Sequence, residues 1–326
     1  MANLYVLPRV IPRFIKQQTE KRNENQKRKM AYHKISKTLS LWYTYSAPKK
    51  LKKIKSKINN SNPNKKNMPT LVFIHGWVHN HTVWKKIERV FQAKGYKTLC
   101  IDLPGHGKSS VPFSQKEYSI KSMAAACVHV LKHKKIINPV IIGHSLGSMV
   151  AQYMYQKIKP QAMILIGSSY ITPMRDAMTE TMHEIYYLDQ LTQLINTGVS
   201  AKKELNLIDF SKSPSESDVI MWMRGASATS AKGLISCFES ILRFDSRKLI
   251  RNIKCPVLLI VGEKDTRTPP KRIRLMKKLL PNAKLVIVPN QGHNVNLTAP
   301  NQTAKIILDF LKKQQKNNRG WLSYLV

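Results

Sequence analysis

The chain has 326 residues, 42% of them hydrophobic, which suits one large α/β domain with an insertion or two small domains. No apolar run approaches the roughly 18 to 20 residues of a membrane-spanning helix, and prolines and arginines interrupt the first apolar stretch. We therefore predict neither a transmembrane helix nor a signal peptide. The four cysteines are widely spaced without a CxxC pair, so we expect reduced cysteines in a cytoplasmic protein, with no zinc or disulfide framework.

The charge of the chain is strongly unbalanced. There are 55 Lys and Arg residues against 18 Asp and Glu, a formal net charge of +37. Such a field attracts nucleic acid, anionic lipid and acidic proteins without specificity. No nucleic-acid-binding motif is visible, so no specific nucleic acid partner is predicted. An acidic carrier protein, an anionic surface and a generally basic proteome of the host are all consistent with this charge.

Residues 1–68 are predicted to form a basic N-terminal extension. Within it, residues 17–29 are expected to be a solvated helix or a disordered arm. Residues 38–46 are rich in β-branched and aromatic side chains, which predicts a leading strand. Residues 47–68 are rich in Lys and Asn, and this charge run predicts a linker or long loop.

From Thr70 onwards, continuous apolar strands alternate with amphipathic helices. The predicted strands span residues 71–76, 98–102, 140–143, 162–167, 256–262 and 284–289. The predicted helices span residues 83–94, 120–133, 146–157, 272–280 and 300–313. This alternation predicts an α/β fold with a doubly wound, mostly parallel sheet that is covered by helices on both faces.

Between residues 168 and 245 the alternation stops, and two stretches rich in Met, Tyr and Trp favour helices. These stretches are residues 173–196 and 215–244. We interpret them as a helical cap over the carboxyl edge of the sheet. The predicted domains are a core of residues 69–169 and 246–315, a cap of residues 170–245 and a C-terminal tail of residues 316–326.

Residues 143–147 read GHSLG and join a predicted strand to a predicted helix. The GxSxG pattern is typical of a sharp turn in which side chains two residues either side of the serine would collide. Glycines at both positions relieve this crowding. The hydroxyl of Ser145 is then expected at a helix N-terminus, where N–H groups favour developing negative charge. We predict that Ser145 is a nucleophile and that His144 supports the turn.

A serine hydroxyl needs a base, and on this type of sheet the expected chain order is serine, acid, histidine. Asp265 and His293 each follow a predicted strand, where a doubly wound sheet gathers its functional loops. Taken alone, His293 could be a solvated loop histidine and Asp265 a helix N-cap. Their order after Ser145 instead predicts a triad with His293 as base and Asp265 as orienting acid.

A tetrahedral intermediate also needs two N–H donors for its oxyanion. We predict the backbone N–H of Leu146, which follows the nucleophile, and that of Trp77, in the turn after the first strand of the body. Residues 75–77 read HGW, where Gly76 permits a tight turn. The alternative is that HGW is only a turn that ends the strand.

Several segments together resemble the α/β-hydrolase superfamily, namely LVFIHGW, DLPGHGKS, GHSLGS, CPVLLIVGEKD and QGH. The resemblance covers about residues 70–311 and points to the capped branch of carboxylesterases, carrier-protein methyl ester esterases and enol-lactonases. It implies hydrolysis of a small acyl ester through an acyl-enzyme, without a metal or organic cofactor. In that family DLPGHGKS is a structural turn, so Asp102 and His106 receive no catalytic role. The basic extension departs from the family pattern and leaves substrate and partner open.

Two further groups of side chains are weaker candidates. Histidines 75, 79, 81 and 106 could suggest a metal cluster, but no carboxylate accompanies them at ligand spacing. An apolar acyl pocket is predicted from Met and aromatic side chains, although such residues in helices are more often core. The pocket candidates are Met149, Tyr170 and Trp222, together with Met174 and Tyr186.

Two other functions remain open from the sequence. The positive surface favours a thioesterase or carrier-protein esterase, because an acidic carrier would be steered towards it. The second is an inactive hydrolase fold that binds nucleic acid or an anionic membrane through residues 1–68. The complete set of triad residues speaks against this second function.

Overall fold

The computed structural model describes residues 26–48, 68–172 and 229–316, and these form one eight-stranded sheet flanked by helices. The strands are β1 Gln26–Lys34, β2 Ser40–Pro48, β3 Thr70–Ile74, β4 Lys97–Ile101, β5 Val140–His144, β6 Ala162–Ile166, β7 Val257–Gly262 and β8 Ala283–Val288. The helices are α1 Lys85–Ala93, α2 Ile120–His133, α3 Leu146–Met154, α4 Ala231–Leu242, α5 Arg247–Ile250, α6 Pro270–Leu279, α7 Val295–Thr298 and α8 Pro300–Lys316.

The order of strands across the sheet is β1-β2-β4-β3-β5-β6-β7-β8. Strands β3 to β8 pair in parallel, whereas β2 runs antiparallel to both β1 and β4. The order reverses between β3 and β5, because β4 lies on one side of β3 and β5 on the other. This is the doubly wound arrangement that the alternation predicts, and it brings the carboxyl ends of β3, β5, β6 and β7 to one edge.

The core lies on both faces of the sheet. Successive residues of β3 alternate between two hydrophobic clusters, with Val72 and Ile74 on one face and Leu71 and Phe73 on the other. Helices α2, α3 and α6 cover the first face, and α1 and α8 cover the second. Since β3, β5, β6 and β7 are buried along their whole length, their sequences are continuous apolar runs.

The N-terminal hairpin corrects one prediction. Residues 26–29 were expected in a helix or a disordered arm, and the structure places them in strand β1, while residues 1–25 lie outside the described residues. Strand β1 pairs with β2 along its whole length, as an edge strand whose outer face carries the exposed Met30 and Tyr32. Its backbone pairing needs no apolar run, and this explains why a basic, polar stretch forms a strand. The sheet therefore includes part of residues 1–68, which were predicted as an N-terminal extension.

The predicted cap lies mostly outside the described residues, because residues 173–228 are among those the structure does not describe. Its carboxyl-terminal part is helix α4, which lies within the predicted helix of residues 215–244. Gly233 of this helix packs closely on Gly105, where a Cβ would lie 2.9 Å from the Gly105 Cα atom. The cap boundaries stay a prediction. Among the described helices, none combines the length and apolarity needed to cross a bilayer.

Candidate active site

Ser145 occupies a strained turn between β5 and α3. Its φ is 49° and its ψ is −117°, in the left-handed half of conformational space that side chains other than glycine rarely adopt. Its backbone N–H donates to the Ile166 carbonyl at 2.9 Å, which ties the turn to the end of β6. Strain of this kind persists only where the surrounding structure enforces it, and it is concentrated at functional sites.

The two glycines of GHSLG are required by close backbone contacts, as the motif predicts. A Cβ at position 143 would lie 2.6 Å from the Gly147 carbonyl carbon. A Cβ at position 147 would collide with the carbonyl oxygens of Ile74 and His75 at the end of β3. Since these obstacles are backbone atoms, no side-chain movement can relieve them. The start of α3 therefore packs directly on β3.

Asp265 and His293 form a buried pair. The Nδ1 of His293 lies 2.9 Å from Oδ2 of Asp265, and both side chains are almost fully buried. Because a carboxylate accepts, Nδ1 carries the hydrogen, which leaves Nε2 available as a base. Asp265 also accepts the backbone N–H of Thr268 at 2.8 Å and its hydroxyl at 2.7 Å. Burial raises the pKa of Asp265, but His293 and these Thr268 hydrogen bonds outweigh it and hold the pKa below its ordinary value.

The end of β6 contacts both Ser145 and His293. Ser145 bonds to Ile166, and the next residue, Gly167, has a φ of 51°. A Cβ on Gly167 would lie 3.0 Å from Cε1 and 3.1 Å from Nδ1 of His293, so the imidazole packs on this glycine. The three predicted triad residues thus gather at one sheet edge, after β5, β7 and β8.

The turn after β3 packs directly against Ser145. A Cβ on Gly76 would lie 3.2 Å from the Ser145 Cβ atom. His75 stabilises this turn, since its Nδ1 donates to the Gly76 carbonyl at 2.8 Å and its Nε2 accepts the Leu103 N–H at 2.9 Å. The turn is strained as well, because the buried, β-branched Val78 has a φ of 65°.

The two predicted oxyanion donors belong to segments that adjoin Ser145, since Leu146 follows it in the chain and Trp77 follows Gly76, which packs on the Ser145 Cβ atom. Leu146 is the first residue of α3, and the first N–H groups of a helix have no partner within it. Trp77 follows Gly76, and its indole N–H donates to the Leu234 carbonyl at 3.0 Å while its ring stacks on Phe238 at 5.2 Å. Trp77 is therefore anchored to α4. The direction of its backbone N–H towards a substrate stays a prediction.

The pocket candidates have different surroundings. Met149 is buried in the hydrophobic cluster on the α2 and α3 face. Tyr170 is partly buried, and its carbonyl accepts the N–H and the hydroxyl of Ser246. Trp222, Met174 and Tyr186 lie outside the described residues. Contact of any of them with a substrate stays a prediction.

The DLPGHGKS segment forms a turn that Asp102 holds together. Its carboxylate accepts the backbone N–H and the Nδ1–H of His81 at 2.6 and 2.9 Å, and the Lys108 N–H at 3.0 Å. The Nδ1 of His106 donates to the Pro104 carbonyl at 2.8 Å. Over residues 26–48, 68–172 and 229–316, no group of three or more candidate ligands is placed to hold a metal ion.

Three residues around the predicted triad have places in the structure that were not predicted from the sequence. Thr268 holds the carboxylate of Asp265, and the signal was available, because an Asp followed three residues later by Thr is typical of a side-chain-capped turn. Gly167 makes room for the imidazole. His79, which the sequence offered only as a member of a weak metal cluster, lies buried in the turn after β3, and neither it nor Gly167 belongs to a motif that places it beside the triad.

A comparison with protein-family models matches residues 69–300 to the α/β hydrolase fold. A pimeloyl-[acyl-carrier protein] methyl ester esterase from Wigglesworthia glossinidia brevipalpis is 29% identical, covering 74% of this chain and 93% of that protein. Among solved structures, a bromoperoxidase from Bacillus anthracis has a TM-score of 0.67 at 22% identity, covering 87% of this chain and 100% of that one.

A second solved structure, from a study of carboxylesterases of the thaumarchaeon Nitrososphaera gargenis, has a TM-score of 0.70 at 19% identity, covering 88% of this chain and 100% of that one. The structural matches establish the fold, which carries more than one chemistry. The family match covers most of the described core and includes every predicted triad residue. The chain belongs to the α/β hydrolase fold family.

Proposed function

We propose that this protein is a serine esterase that hydrolyses a carboxylic ester through an acyl-enzyme intermediate. The observation that carries the proposal is the buried pair of Asp265 and His293 beside the strained turn of Ser145. The pair leaves Nε2 of the imidazole free to accept a proton, and the turn presents the serine hydroxyl at a helix N-terminus. Relatives that are named esterases support ester cleavage as the reaction.

In the first half of the reaction, His293 takes the hydroxyl proton of Ser145 as the serine oxygen attacks the ester carbonyl carbon. The resulting imidazolium is stabilised by the carboxylate of Asp265, which also fixes its orientation. The backbone N–H groups of Leu146 and Trp77 are assigned to the oxyanion. When the tetrahedral intermediate collapses, the carbon–oxygen bond to the alcohol breaks and His293 gives its proton to the departing alcohol oxygen.

In the second half, water replaces the alcohol. His293 removes a proton from water as the water oxygen attacks the acyl carbon, and a second tetrahedral intermediate forms. Its collapse breaks the bond to the serine oxygen, which regains the proton from His293, and the carboxylic acid is released. Apart from the ester and the water, each step uses side chains and backbone groups of the described residues.

A panel of p-nitrophenyl esters of graded acyl length tests the reaction and the depth of the pocket together. The wild-type protein is expected to hydrolyse at least one ester, and Ser145→Ala is expected to lower kcat by about 10⁴-fold or more. Ser114→Ala is the matched control, because Ser114 is exposed and caps its turn without a side-chain hydrogen bond. Absence of hydrolysis across the panel, or full activity of Ser145→Ala, would contradict the proposal.

A second candidate is hydrolysis of an ester or thioester that is linked to an acidic carrier protein. It is favoured by the name of the relative from Wigglesworthia glossinidia brevipalpis and by the net charge of +37. Electrostatic steering would then raise the rate for the carrier-bound substrate at low salt. Hydrolysis of a carrier-bound acyl ester and of the same free ester should be compared across salt concentrations. Equal, salt-independent rates would remove this candidate.

A further inference from the structure

A second imidazole, that of His144, hydrogen-bonds to the backbone of the loop that carries the proposed base. The Nε2 of His144 lies 3.1 Å from the main-chain carbonyl of His293, and the two rings are 5.0 Å apart. Because a carbonyl oxygen can only accept, Nε2 of His144 must carry the hydrogen. Burial, reinforced by His293, lowers the pKa of His144 to about 3, so the ring stays neutral. Its Nδ1 therefore carries no hydrogen, and the lone pair of this atom can accept a hydrogen bond.

That lone pair is buried. Among the residues that the structure describes, none hydrogen-bonds to Nδ1 of His144. It faces the turn after β3, since a Cβ on Gly76 would lie 2.7 Å from it. Burying an acceptor without a donor is unfavourable, so we expect a protein group or a bound water to donate to this position.

His79 lies on the same turn and is our candidate for this donor. The residue is 5% exposed, its ring centroid lies 5.8 Å from that of His144, and neither ring nitrogen has a hydrogen-bond partner among the described residues. Its backbone N–H donates to the Gly76 carbonyl at 3.2 Å, so it belongs to the same turn. A neutral imidazole offers one N–H, which complements the lone pair on His144.

We propose that His79 and His144 form a positioning relay for the proposed catalytic histidine. His79 donates a ring N–H to Nδ1 of His144, directly or through one water, and His144 donates Nε2–H to the carbonyl of His293. Asp265 then holds the imidazole of His293 while the relay holds its main chain, and the two together fix the direction of Nε2. This inference rests on the proposed function, because it takes His293 as the base.

A pair of substitutions of similar size tests His144. Glutamine places an amide N–H close to the position of Nε2, whereas methionine has a similar length and no donor. His144→Met is expected to lower kcat about 10- to 100-fold with KM within about twofold, because the base is misdirected rather than the substrate site lost. His144→Gln is expected to keep kcat within about fivefold of wild type. Equal kcat values for the two variants, or a loss confined to KM, would overturn the relay.

Nitrogen NMR of the histidine rings tests the relay without measuring activity. In the wild-type protein, His144 is expected as the neutral Nε2–H tautomer with its Nδ1 accepting a hydrogen bond, the signal being assigned by its loss in His144→Gln. His79→Leu is expected to move the Nδ1 signal downfield, to the position of a free lone pair. A wild-type Nδ1–H tautomer, or an Nδ1 signal that His79→Leu leaves unchanged, would overturn the relay.

The two proposals fail in different ways. If the wild-type protein hydrolyses no ester, the proposed function fails, while the wild-type nitrogen shifts still report whether the relay exists. If esters are hydrolysed and both His144 variants behave alike, the proposed function stands and the relay is wrong. Thermal unfolding of each variant verifies that the compared proteins are folded.

Discussion

The two halves of the site are built by different means. On the nucleophile side, Ser145 is held by backbone atoms, because Gly143 and Gly147 leave room only for each other and for the end of β3. On the base side, Asp265 and His293 are held by hydrogen bonds between polar side chains. The position of Ser145 depends on glycines that lack a Cβ atom, whereas the positions of Asp265 and His293 depend on hydrogen-bond donors and acceptors.

This difference has consequences for how each half tolerates change. An added methyl group on the nucleophile side meets immovable backbone and should displace the reacting atom. On the base side, removing one hydrogen bond to Asp265 leaves its charge with fewer partners and weakens the pair by degrees, whereas removing the charge itself abolishes the stabilisation of the imidazolium. Substitutions on each side test whether the two halves of the site differ in this way.

The largest effect is expected on the base side, from Asp265→Asn. An amide cannot stabilise an imidazolium and can impose the wrong tautomer on His293, so kcat should fall on the order of 10⁴-fold. The measurement is kcat on the best p-nitrophenyl ester. Asp309→Asn, an exposed carboxylate on α8, is the control and should retain wild-type kcat. Comparable kcat values for the two variants would remove Asp265 from the triad.

On the nucleophile side, Gly147→Ala forces a Cβ into the carbonyl oxygens of Ile74 and His75. A displacement of about 1 Å should lower kcat on the order of 100-fold, even where the protein still folds. Gly95→Ala is the contrast, since Gly95 has a φ of 88° and open space around it. That variant should lose about 1 kcal/mol of stability and keep its kcat. Similar kcat values for both would show that backbone contact does not position Ser145.

A smaller effect is expected from Thr268→Val, which removes one of the two Thr268 donors to Asp265 and keeps the shape of the side chain. The free energy of unfolding at pH 7 should fall by about 1–3 kcal/mol, the contribution of a hydrogen bond to a charged group. Thr268→Ser retains the hydroxyl and should lose less. Urea denaturation measures both, and equal stability of Val and Ser variants would contradict the role of the hydroxyl.

The smallest effect concerns the turn that Asp102 holds. Burial lowers the pKa of His106 to about 3, whereas the unfolded chain takes up this proton near pH 6.5. The contribution of His106 is therefore complete above pH 6.5 and is lost as pH falls from 6.5 towards 3. His106→Asn keeps a donor for the Pro104 carbonyl. Between pH 5.5 and 4.5 its stability should fall less steeply than that of wild type, by about 1 kcal/mol per pH unit.

Urea denaturation at several pH values measures this slope. The pH range from 7 to 8 is the internal control, because there His106 is neutral in both the folded and the unfolded state, and the difference between the two proteins should be constant. Parallel curves below pH 6 would show that His106 takes up its proton in the folded state.

The same contrast explains which parts of the site can be predicted from the sequence. Steric requirements leave glycines in fixed positions, so GHSLG and its strand and helix could be read directly. Asp265 and His293 could be placed because each follows an apolar strand. The places of Gly167 and His79 beside the pair could not be predicted, because they depend on contacts between segments that are distant in sequence. Thr268 lies three residues after Asp265, so this spacing carried a usable signal.

The fold shows a similar division. The parallel strands are buried on both faces and have continuous apolar sequences, so the α/β-hydrolase fold could be predicted and is confirmed. Strand β1 was missed because an edge strand is held by backbone pairing with β2 and can carry a basic, polar sequence. Edge position is a property of the assembled sheet, and a single segment does not reveal it.

The most direct test of the central claim is labelling with a fluorophosphonate, followed by mass spectrometry to locate the adduct. We expect an adduct on Ser145, none in Ser145→Ala, and labelling in His293→Ala that is slower by orders of magnitude, because the hydroxyl then lacks its base. An inactive fold would not react at all. An adduct on another residue, or equally fast labelling of His293→Ala, would contradict the account.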